Sequence, residues 1–366
     1  MKKSVIINEN SLLKINLNTL SENYENLKKN VQPADIAAVL KSNCYGLGIE
    51  KISKRLIELG CKNFFLTCIE ESILVKEKSK QSNVFLLNGI INLSNNNIRK
   101  VIKKNIIPVI NSYEELKKFN QIYDCKNRYP LCLHFDTAIN RLGIPKNEIK
   151  KVFNYCDTNN INVFCIMSHF ASADEPKSSF NQTQLNRFKK IIKMYPKAIY
   201  SIANSEATLN LQNVNYDIVR SGGCLFGTVN KKIYKKIIQL FAKVLQIKKI
   251  DSSHQIFGYN GTYQSKTEKK IAIIGFGYAD GYPRLLSNNA FAFFKKKLPI
   301  IGSISMDYMI IDISSLNKDE LKIGDFVELI GNNISINDLA KAAETIPYEI
   351  LNNIGIRVKK IYIDNV

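Results

Sequence analysis

The chain of 366 residues is poor in acidic residues and lacks the sequence patterns of several protein classes. Its 32 Asp and Glu stand against 52 Lys and Arg, but the basic residues are scattered along the chain, which argues against a nucleic-acid-binding patch. The eight cysteines include no Cys-x-x-Cys pair, and no apolar run reaches membrane-spanning length. We therefore expect buried, reduced thiols, no metal, no nucleic-acid or membrane partner, and a cytoplasmic location.

The sequence does contain an alternation of short apolar runs and amphipathic segments between about residues 35 and 227. Eight apolar runs recur every 25 residues or so, roughly the spacing of βα units. They span residues 36–40, 64–68, 84–87, 107–110, 131–135, 163–167, 198–203 and 217–219. Helical periodicity lies between them, at residues 49–59, 113–122, 146–156 and 183–194. This pattern predicts an α/β TIM barrel, with an open doubly wound sheet as the alternative.

The pattern changes after about residue 229 to longer β-type runs. These runs lie at residues 241–247, 270–275, 298–304, 308–313 and 326–330, and one helix is predicted at 336–343. They indicate a mostly β C-terminal domain with its own core. We place the two domains at residues 1–232 and 233–366.

Polar residues that follow the predicted barrel strands are the candidate site residues, because TIM-barrel active sites lie at the carboxyl ends of the strands. They are Lys41, Arg141, His169, Asn204, Ser205, Arg220, Gly222 and Gly223. A lysine partly desolvated at such a position has a lowered pKa, so its amine is available as a nucleophile toward an aldehyde. Taken singly, Lys41, His169 and Arg220 are each more often structural, as a solvated lysine, a core histidine and an arginine in a surface ion pair.

Several motifs in a fixed order resemble those of the alanine racemases. AVLKSNCYG, which contains Lys41, resembles the family's pyridoxal-phosphate lysine motif AVVKANAYG. DTAINRLG, SHFA, ANS and VRSG follow in the order expected of the family, and they contain Arg141, His169, Asn204 and Arg220. In the second domain, GYADG with Tyr278 and GSISMD with Met306 resemble two further motifs. The similarity extends from about residue 10 to residue 362.

The resemblance implies a homodimeric pyridoxal 5'-phosphate enzyme with shared active sites. It would interconvert L- and D-alanine and supply D-alanine for cell-wall peptidoglycan. By resemblance, Lys41 holds the cofactor and is the base on one face of the substrate Cα, and Tyr278 is the base on the other. The other cofactor-binding residues implied are Tyr45, His169, Asn204, Ser205, Arg220, Gly222 and Gly223. Arg141 and the backbone N–H of Met306 would bind the substrate carboxylate, with His134 and Asp307 in supporting roles.

Arg220 indicates the reaction type within this resemblance. An arginine stays protonated and can only donate hydrogen bonds, so it would leave the cofactor's ring nitrogen unprotonated. The ring is then a weaker electron sink, which favours return of the proton to the same carbon over transamination. The family pattern also implies that His169 lies between Arg220 and Tyr278 and lowers the pKa of that phenol.

Three positions depart from the commonest form of the family. Leu47 replaces a histidine, which alters local packing only. His134 stands where many members have a carbamylated lysine that orients the substrate-carboxylate arginine; a bound anion or a direct hydrogen bond between His134 and Arg141 would have to orient the arginine here. Ile356 stands roughly where many members have a tyrosine near the phosphate, and loss of that hydroxyl weakens the case for strict alanine specificity.

The alternatives are other enzymes on this scaffold and proteins of other classes. A racemase for serine or for several small amino acids would share every motif above. A related barrel-type decarboxylase is disfavoured by the GYADGY and SMD segments, and a single-barrel cofactor carrier would lack the region after residue 229. A nucleic-acid binder would be retained on DNA with a steep salt dependence, which we do not expect.

Overall fold

The computed structural model describes residues 8–123, 129–251 and 255–364. The described residues divide into two compact units. Residues 21–44 and 48–225 form the first, here called the barrel unit, and the described parts of 1–20, 45–47 and 226–366 form the second, here called the β unit. Among the described helices, none combines the length and the apolar character needed to cross a bilayer.

The described chain begins with strand β1 (Asn8–Asn16) and helix α1 (Leu17–Val31), and neither element was predicted. Eight barrel strands follow: β2 (Asp35–Val39), β3 (Asn63–Leu66), β4 (Asn83–Leu86), β5 (Ile107–Ile110), β6 (Leu131–His134), β7 (Val163–Met167), β8 (Ile199–Ser201) and β9 (Ile218–Ser221). Between and after these strands lie α2 (Ile49–Glu58), α3 (Ile69–Lys78), α4 (Asn95–Lys103), α5 (Tyr113–Ile122), α6 (Ile149–Thr158), α7 (Ser179–Met194), α8 (Ser205–Asn210) and α9 (Gly223–Phe226).

The sheet of the barrel unit is parallel and nearly closed. Strands β2 to β8 pair in chain order, and β9 pairs with β2. Two backbone hydrogen bonds connect the β8 and β9 segments, from Asp217 N–H to Tyr200 C=O (3.1 Å) and from Arg220 N–H to Ala203 C=O (3.0 Å). An open doubly wound sheet has a different strand order and two free edges. The predicted TIM barrel is therefore confirmed and the alternative is wrong.

The β unit contains a mostly antiparallel sheet, of which six strands close on themselves, and a separate two-stranded sheet. Its strands are β10 (Ile238–Ile250), β11 (Gln255–Phe257), β12 (Tyr263–Ser265), β13 (Lys269–Ile274), β14 (Phe291–Phe294), β15 (Lys296–Ile301), β16 (Met309–Asp312), β17 (Phe326–Ile330) and β18 (Val358–Ile363). The order β13-β16-β15-β14-β17-β10 returns to β13, because the long β10 pairs with β17 through its first half and with β13 through its second. Helices α10 (Ile336–Ala342) and α11 (Pro347–Asn353) complete the unit.

The N-terminal strand belongs to this second sheet. β1 pairs antiparallel with β10 and parallel with β18, so that Leu13 lies opposite Leu240 on one side and opposite Lys360 on the other. Leu13 and Ile15 are fully buried there. The predicted mostly β C-terminal domain is confirmed as a fold, whereas the boundary between residues 232 and 233 stays a prediction.

The cysteines of the described residues are free thiols. Six are buried and Cys68 is half-buried. Burial raises the pKa of Cys61 and of Cys224 to about 12, so these thiols stay protonated and unreactive near neutral pH. The eighth, Cys125, lies outside the described residues.

Candidate active site

The alternation of side chains along the barrel strands places five polar residues at one end of the barrel unit. The barrel interior is packed with apolar side chains that include Ala37, Val109, Cys132, Met167 and Ile218, with Val39 against them. Successive side chains of a strand point to opposite faces, so the next inward position lies two residues further along. That position is occupied by Lys41 after β2, Asn111 after β5, His134 in β6, His169 after β7 and Arg220 in β9.

Directly after Lys41 the backbone makes an unusual turn. Residues 42–45 all have φ between 52° and 56°, a left-handed conformation that costs roughly 1–2 kcal/mol per residue for side chains other than glycine. Asn43 anchors the turn, because its N–H donates to the Glu71 carboxylate (2.6 Å) and its side-chain oxygen accepts from Ile49 N–H (2.8 Å). Such concentrated strain is typical of functional sites, and here it fixes the chain that follows Lys41.

The amine of Lys41 is half-buried and has no hydrogen-bond or ion-pair partner among the described residues. Burial lowers its pKa, and the positive charge of Arg141 lowers it further. A buried amine without a counter-ion loses its proton more easily and is a better nucleophile and base. The partial burial and lowered pKa of Lys41 agree with the expectation from the sequence, and its role in holding a cofactor stays a prediction.

Arg141 lies on the loop that follows β6. The loop is closed at its base by the Ile144 N–H, which donates to the His134 carbonyl (2.7 Å), and the Asp136 carboxylate accepts from the Asn140 N–H (3.2 Å). Arg141 itself is exposed and makes no hydrogen bond or ion pair with another described residue. The loop is held by these hydrogen bonds and the guanidinium has no partner, so Arg141 is suited to bind a carboxylate.

Arg220, in contrast, is 4% exposed and fully engaged with the barrel. Its guanidinium donates to the Ser201 hydroxyl (2.6 Å) and to the Ser168 carbonyl (2.5 Å), and one of its nitrogens lies 3.2 Å from Nδ1 of His169. Burial lowers its pKa to about 10, so it remains a cation at neutral pH. Neither serine was among the predicted site residues.

The contact with Arg220 determines the tautomer of His169. Arginine only donates, so Nδ1 of His169 accepts, and the proton of the neutral ring resides on Nε2. Burial and the charges of Arg220 and Arg141 lower the pKa of His169 well below its usual value, which keeps the ring neutral. The side-chain oxygen of Asn204 accepts from Ala207 N–H (2.9 Å), so its amide nitrogen is the atom that lies 3.5 Å from Nε2. Two donors face each other there, and the Nε2 proton is left for another acceptor.

Gln184 of α7 holds the backbone on both sides of this histidine. Its side-chain nitrogen donates to the His169 carbonyl (2.8 Å), and its side-chain oxygen accepts from the Ala171 N–H (2.9 Å). Gln184 is fully buried. The sequence signal was present, since a polar residue sits on the apolar face of a predicted helix, but its partner lies in a different element.

The predicted cofactor-binding residues Ser205, Gly222 and Gly223 are buried together at the end of β9. The Ser205 hydroxyl accepts from Gly223 N–H (3.0 Å) and lies 2.9 Å from the Ser221 hydroxyl. The structure thus brings these residues into one polar cluster. The Gly223 N–H is engaged by Ser205 within this cluster.

Tyr45 belongs to the β unit, and its side chain is 8% exposed. Its ring packs edge-on against Phe226, with ring centroids 5.4 Å apart, and tilted against Tyr348, at 5.5 Å. Two aromatic neighbours fix the direction of the phenol, so its hydroxyl has a defined position.

Tyr278, Met306 and Asp307 lie on two adjoining turns of the β unit. The turns are joined by hydrogen bonds from Tyr278 N–H to the Ser305 carbonyl (3.1 Å) and from Ala279 N–H to the Met306 carbonyl (3.0 Å). The side chains of Tyr278 and Met306 are 42% and 53% exposed. A Cβ at Gly277 would lie 2.3 Å from the Met306 carbonyl oxygen, so only glycine permits this approach.

Arg357, which the sequence interpretation missed, connects both turns. Its Nε donates to the Asp280 carboxylate (2.7 Å) and its Nη2 to the Asp307 carboxylate (2.6 Å). Asp280 is fully buried and also accepts from Gly277 N–H (3.0 Å). The two carboxylates raise the pKa of Arg357. Asp307 is therefore held by an ion pair within its own unit, and its supporting role at the site stays a prediction.

We expect Arg357→Met to lower the free energy of unfolding by about 2 kcal/mol, because the buried Asp280 carboxylate would lose a charged hydrogen-bond partner. Urea denaturation measures the change. Lys359→Met is the matched control, since Lys359 is an exposed cation two residues away, and its effect should stay within about 0.5 kcal/mol. Equal losses in the two variants would contradict the role of Arg357.

Comparison with known proteins assigns the family. A family model described as alanine racemase, N-terminal domain, matches residues 15–230, and a second, alanine racemase, C-terminal domain, matches residues 237–362. The chain belongs to the alanine racemase family. It is therefore an enzyme, an amino-acid racemase.

Individual alanine racemases match over nearly their whole length. That of Rickettsia rickettsii is 34% identical over 355 residues, which cover 96% of this chain and 98% of the relative. The alanine racemase of Brucella abortus is 33% identical, and the match covers 96% of this chain and 93% of the relative. The crystal structure of alanine racemase from Bartonella henselae with covalently bound pyridoxal phosphate superposes with a TM-score of 0.91 at 33% identity, over 97% of this chain and 100% of that one.

Proposed function

We propose that this racemase interconverts L- and D-alanine with pyridoxal 5'-phosphate held on Lys41. The observation that supports this most strongly is the half-buried, unpartnered Lys41 amine at the carboxyl end of the barrel. The relative from Bartonella henselae, which binds pyridoxal phosphate covalently, is similar over the whole length of the chain. The product D-alanine would serve peptidoglycan synthesis in the cytoplasm, as the family resemblance implies.

The barrel unit fits an anionic, aldehyde-bearing cofactor. Lys41, Arg141 and Arg220 all influence the titration of His169, and among the described residues none of the three forms an ion pair with a carboxylate. The uncompensated positive charges of Arg141 and Arg220 favour a phosphate-bearing ligand, and the lowered pKa of Lys41 makes its unprotonated amine more readily available to an aldehyde. When bound, pyridoxal phosphate supplies an aldehyde for covalent attachment and a conjugated ring that stabilises negative charge on the substrate Cα.

Each candidate site residue would then have a defined role. Lys41 would hold the aldehyde carbon, Arg220 would donate to the ring nitrogen, and the hydroxyls of Tyr45 and Ser205 would bind the phosphate. Gly222 and Gly223 would allow the phosphate to approach the backbone closely, with Asn204 beside them. Because Arg220 is buried and bonded to Ser201 and Ser168, its position does not depend on the ligand. Arg141 and the Met306 N–H would bind the substrate carboxylate.

Proton transfer at Cα would use two bases on opposite faces, Lys41 and Tyr278. A phenol accepts a proton as its anion, so Tyr278 needs a partner that stabilises that anion. His169 is suited to this task, since its Nε2 carries a proton and its Nδ1 is held by Arg220. The neutral imidazole would donate to the phenol oxygen and fix the direction of the second base.

We further propose a homodimer in which the Tyr278 turn of one chain completes the barrel of the other. Around Arg357 the β unit exposes several large apolar side chains: Tyr278, Met306, Tyr308 and Ile356. Ile356, which stands roughly where many family members have a tyrosine, is 81% exposed. Exposed apolar surface of this kind is typical of an interface.

Complementation between two inactive variants tests this proposal. Lys41→Ala and Tyr278→Phe chains, each inactive alone, should regain activity when co-expressed, because a mixed two-fold dimer contains one site with both defects and one with neither. Mixed dimers are about half of a random population, so about a quarter of the wild-type activity is expected. If mixed dimers form and activity does not return, the two residues act within one chain and the shared site is wrong.

A further inference from the structure

The imidazole of His134 has a buried nitrogen without a partner. His134 is 6% exposed, and its Nδ1 lies 2.8 Å from the side-chain oxygen of Asn111. Its Nε2 is buried and has no hydrogen-bond partner among the described residues. A buried polar atom left unpaired destabilises the fold, so it calls for a partner that arrives with a ligand or with a movement of the site.

Asn111 determines which kind of partner this nitrogen needs. The Asn111 amide nitrogen donates to the carbonyls of Val109 (2.9 Å) and Leu87 (3.2 Å), which turns its oxygen toward His134. An amide oxygen only accepts, so Nδ1 of His134 carries the proton, and Nε2 of the neutral ring is an acceptor. Burial, followed by the charges of Arg220 and Arg141, lowers the pKa of His134 to about 3, so the ring is neutral near neutral pH.

Asn111 is itself held by a buried acid. Glu115 of α5 is 1% exposed, and its carboxylate accepts from the backbone N–H of Asn111 (2.6 Å) and of Ile91 (3.0 Å). Glu115 fixes the Asn111 backbone, and the Asn111 amide orients the imidazole of His134. Two successive sets of hydrogen bonds therefore fix the orientation of the His134 ring and the direction in which its Nε2 accepts.

These contacts decide between the two ways in which Arg141 was expected to be oriented. An anion next to His134 would need a donor, and the sole ring proton of His134 is already given to Asn111. Nε2 instead needs a donor, and two cations act on this ring, Arg220 and Arg141. Arg220 is committed to Ser201 and Ser168, whereas Arg141 is unpaired on a loop whose base is bonded to the His134 carbonyl.

We propose that His134 is a positioning residue whose unprotonated Nε2 accepts a hydrogen bond from the Arg141 guanidinium when the substrate carboxylate binds. The proposal rests on the proposed role of Arg141 in holding that carboxylate. One nitrogen of the guanidinium is then directed to the imidazole, and the other edge remains free for the substrate. A neutral acceptor orients the arginine without neutralising it, so Arg141 keeps its full charge for the carboxylate.

Substitution of His134 separates this role from simple packing. His134→Leu should raise KM for alanine, and the inhibition constant of propionate, by about tenfold, while kcat changes by less than about threefold. His134→Gln, which restores an acceptor, should recover both constants to within about threefold of wild type. Circular dichroism melting establishes that each variant is folded. A drop in kcat with KM and the propionate constant unchanged in both variants would overturn the proposal.

Two further measurements distinguish the failure of this inference from the failure of its premise. Arg141→Leu should raise the same two constants by at least about tenfold, and adding His134→Leu to it should have no further effect. If Arg141→Leu leaves both constants unchanged, the carboxylate role of Arg141 is wrong, and the inference falls with it. If Arg141→Leu raises them and His134→Leu does not, only the inference is overturned. Exchanging sulfate for chloride in the assay buffer should leave the wild-type KM unchanged. A KM that falls with chloride would indicate that a bound anion, and not His134, orients Arg141.

Discussion

Lys41→Ala is expected to abolish racemisation in both directions, with a loss of at least about 10⁴-fold, because it removes both the attachment point of the cofactor and one of the two bases. The half-buried amine of Lys41 has no partner among the described residues, so its removal should leave the barrel folded. The measurement combines initial rates from L- and D-alanine with borohydride reduction and peptide mapping. No reducible attachment of pyridoxal phosphate should remain in the variant.

Lys76→Ala is the matched control for this change. Lys76 is another half-buried lysine of the barrel unit, and burial lowers its pKa as well, but its amine donates to the Ser82 carbonyl (2.5 Å). This variant should keep the attached cofactor and most of the activity. Trapping of the cofactor on any lysine other than Lys41 in the wild-type enzyme would refute the assignment.

Tyr278→Phe should affect the two enantiomers unequally. The change removes a partly exposed phenol hydroxyl and leaves the ring, so it deletes one base with little effect on shape. Exchange of the α-hydrogen with solvent deuterium should fall by at least about 100-fold when L-alanine is the starting enantiomer, and by only a few fold with D-alanine. Mass spectrometry of the recovered amino acid measures both rates under single-enantiomer conditions.

Tyr308→Phe provides the control within the same pair of turns. Tyr308 is 51% exposed, and its carbonyl accepts from Ser305 N–H (3.0 Å), so the two tyrosines share a similar setting. This control should leave exchange from both enantiomers near the wild-type rate. An equal loss from L- and D-alanine in Tyr278→Phe would exclude its assignment as the base for one face.

The barrel was predictable because its strands are local and repetitive. Each of the eight predicted apolar runs overlaps a barrel strand, and the helix predicted at residues 113–122 coincides with α5. The reason is that a barrel strand is buried on both faces, so its sequence is an uninterrupted apolar run whichever strands it pairs with. β1 and α1 were missed, because β1 is stabilised by pairing with β10 and β18, which lie more than 220 residues away.

The same reasoning found part of the candidate site and missed other residues that the structure places there. Lys41, His169 and Arg220 were predicted from their places at strand ends, and the structure brings them to one end of the barrel unit. Asn111 occupies the equivalent place after β5 and could have been found by the same rule. Gln184 could not, since its importance depends on contacts with the backbone around His169 that only the packing of α7 creates.

By itself, the sequence determined the TIM barrel, the mostly β second fold, the family, and which side chains stand at the strand ends, because these depend on local periodicity and on short motifs. Only the tertiary structure decided which hydrogen-bond partner each polar group has. Arg220 makes His169 an acceptor at Nδ1, Asn111 makes His134 an acceptor at Nε2, and Arg357 joins the turns of Tyr278 and Met306. A titratable side chain takes its charge and tautomer from burial and from neighbours far away in sequence, and no local pattern encodes those.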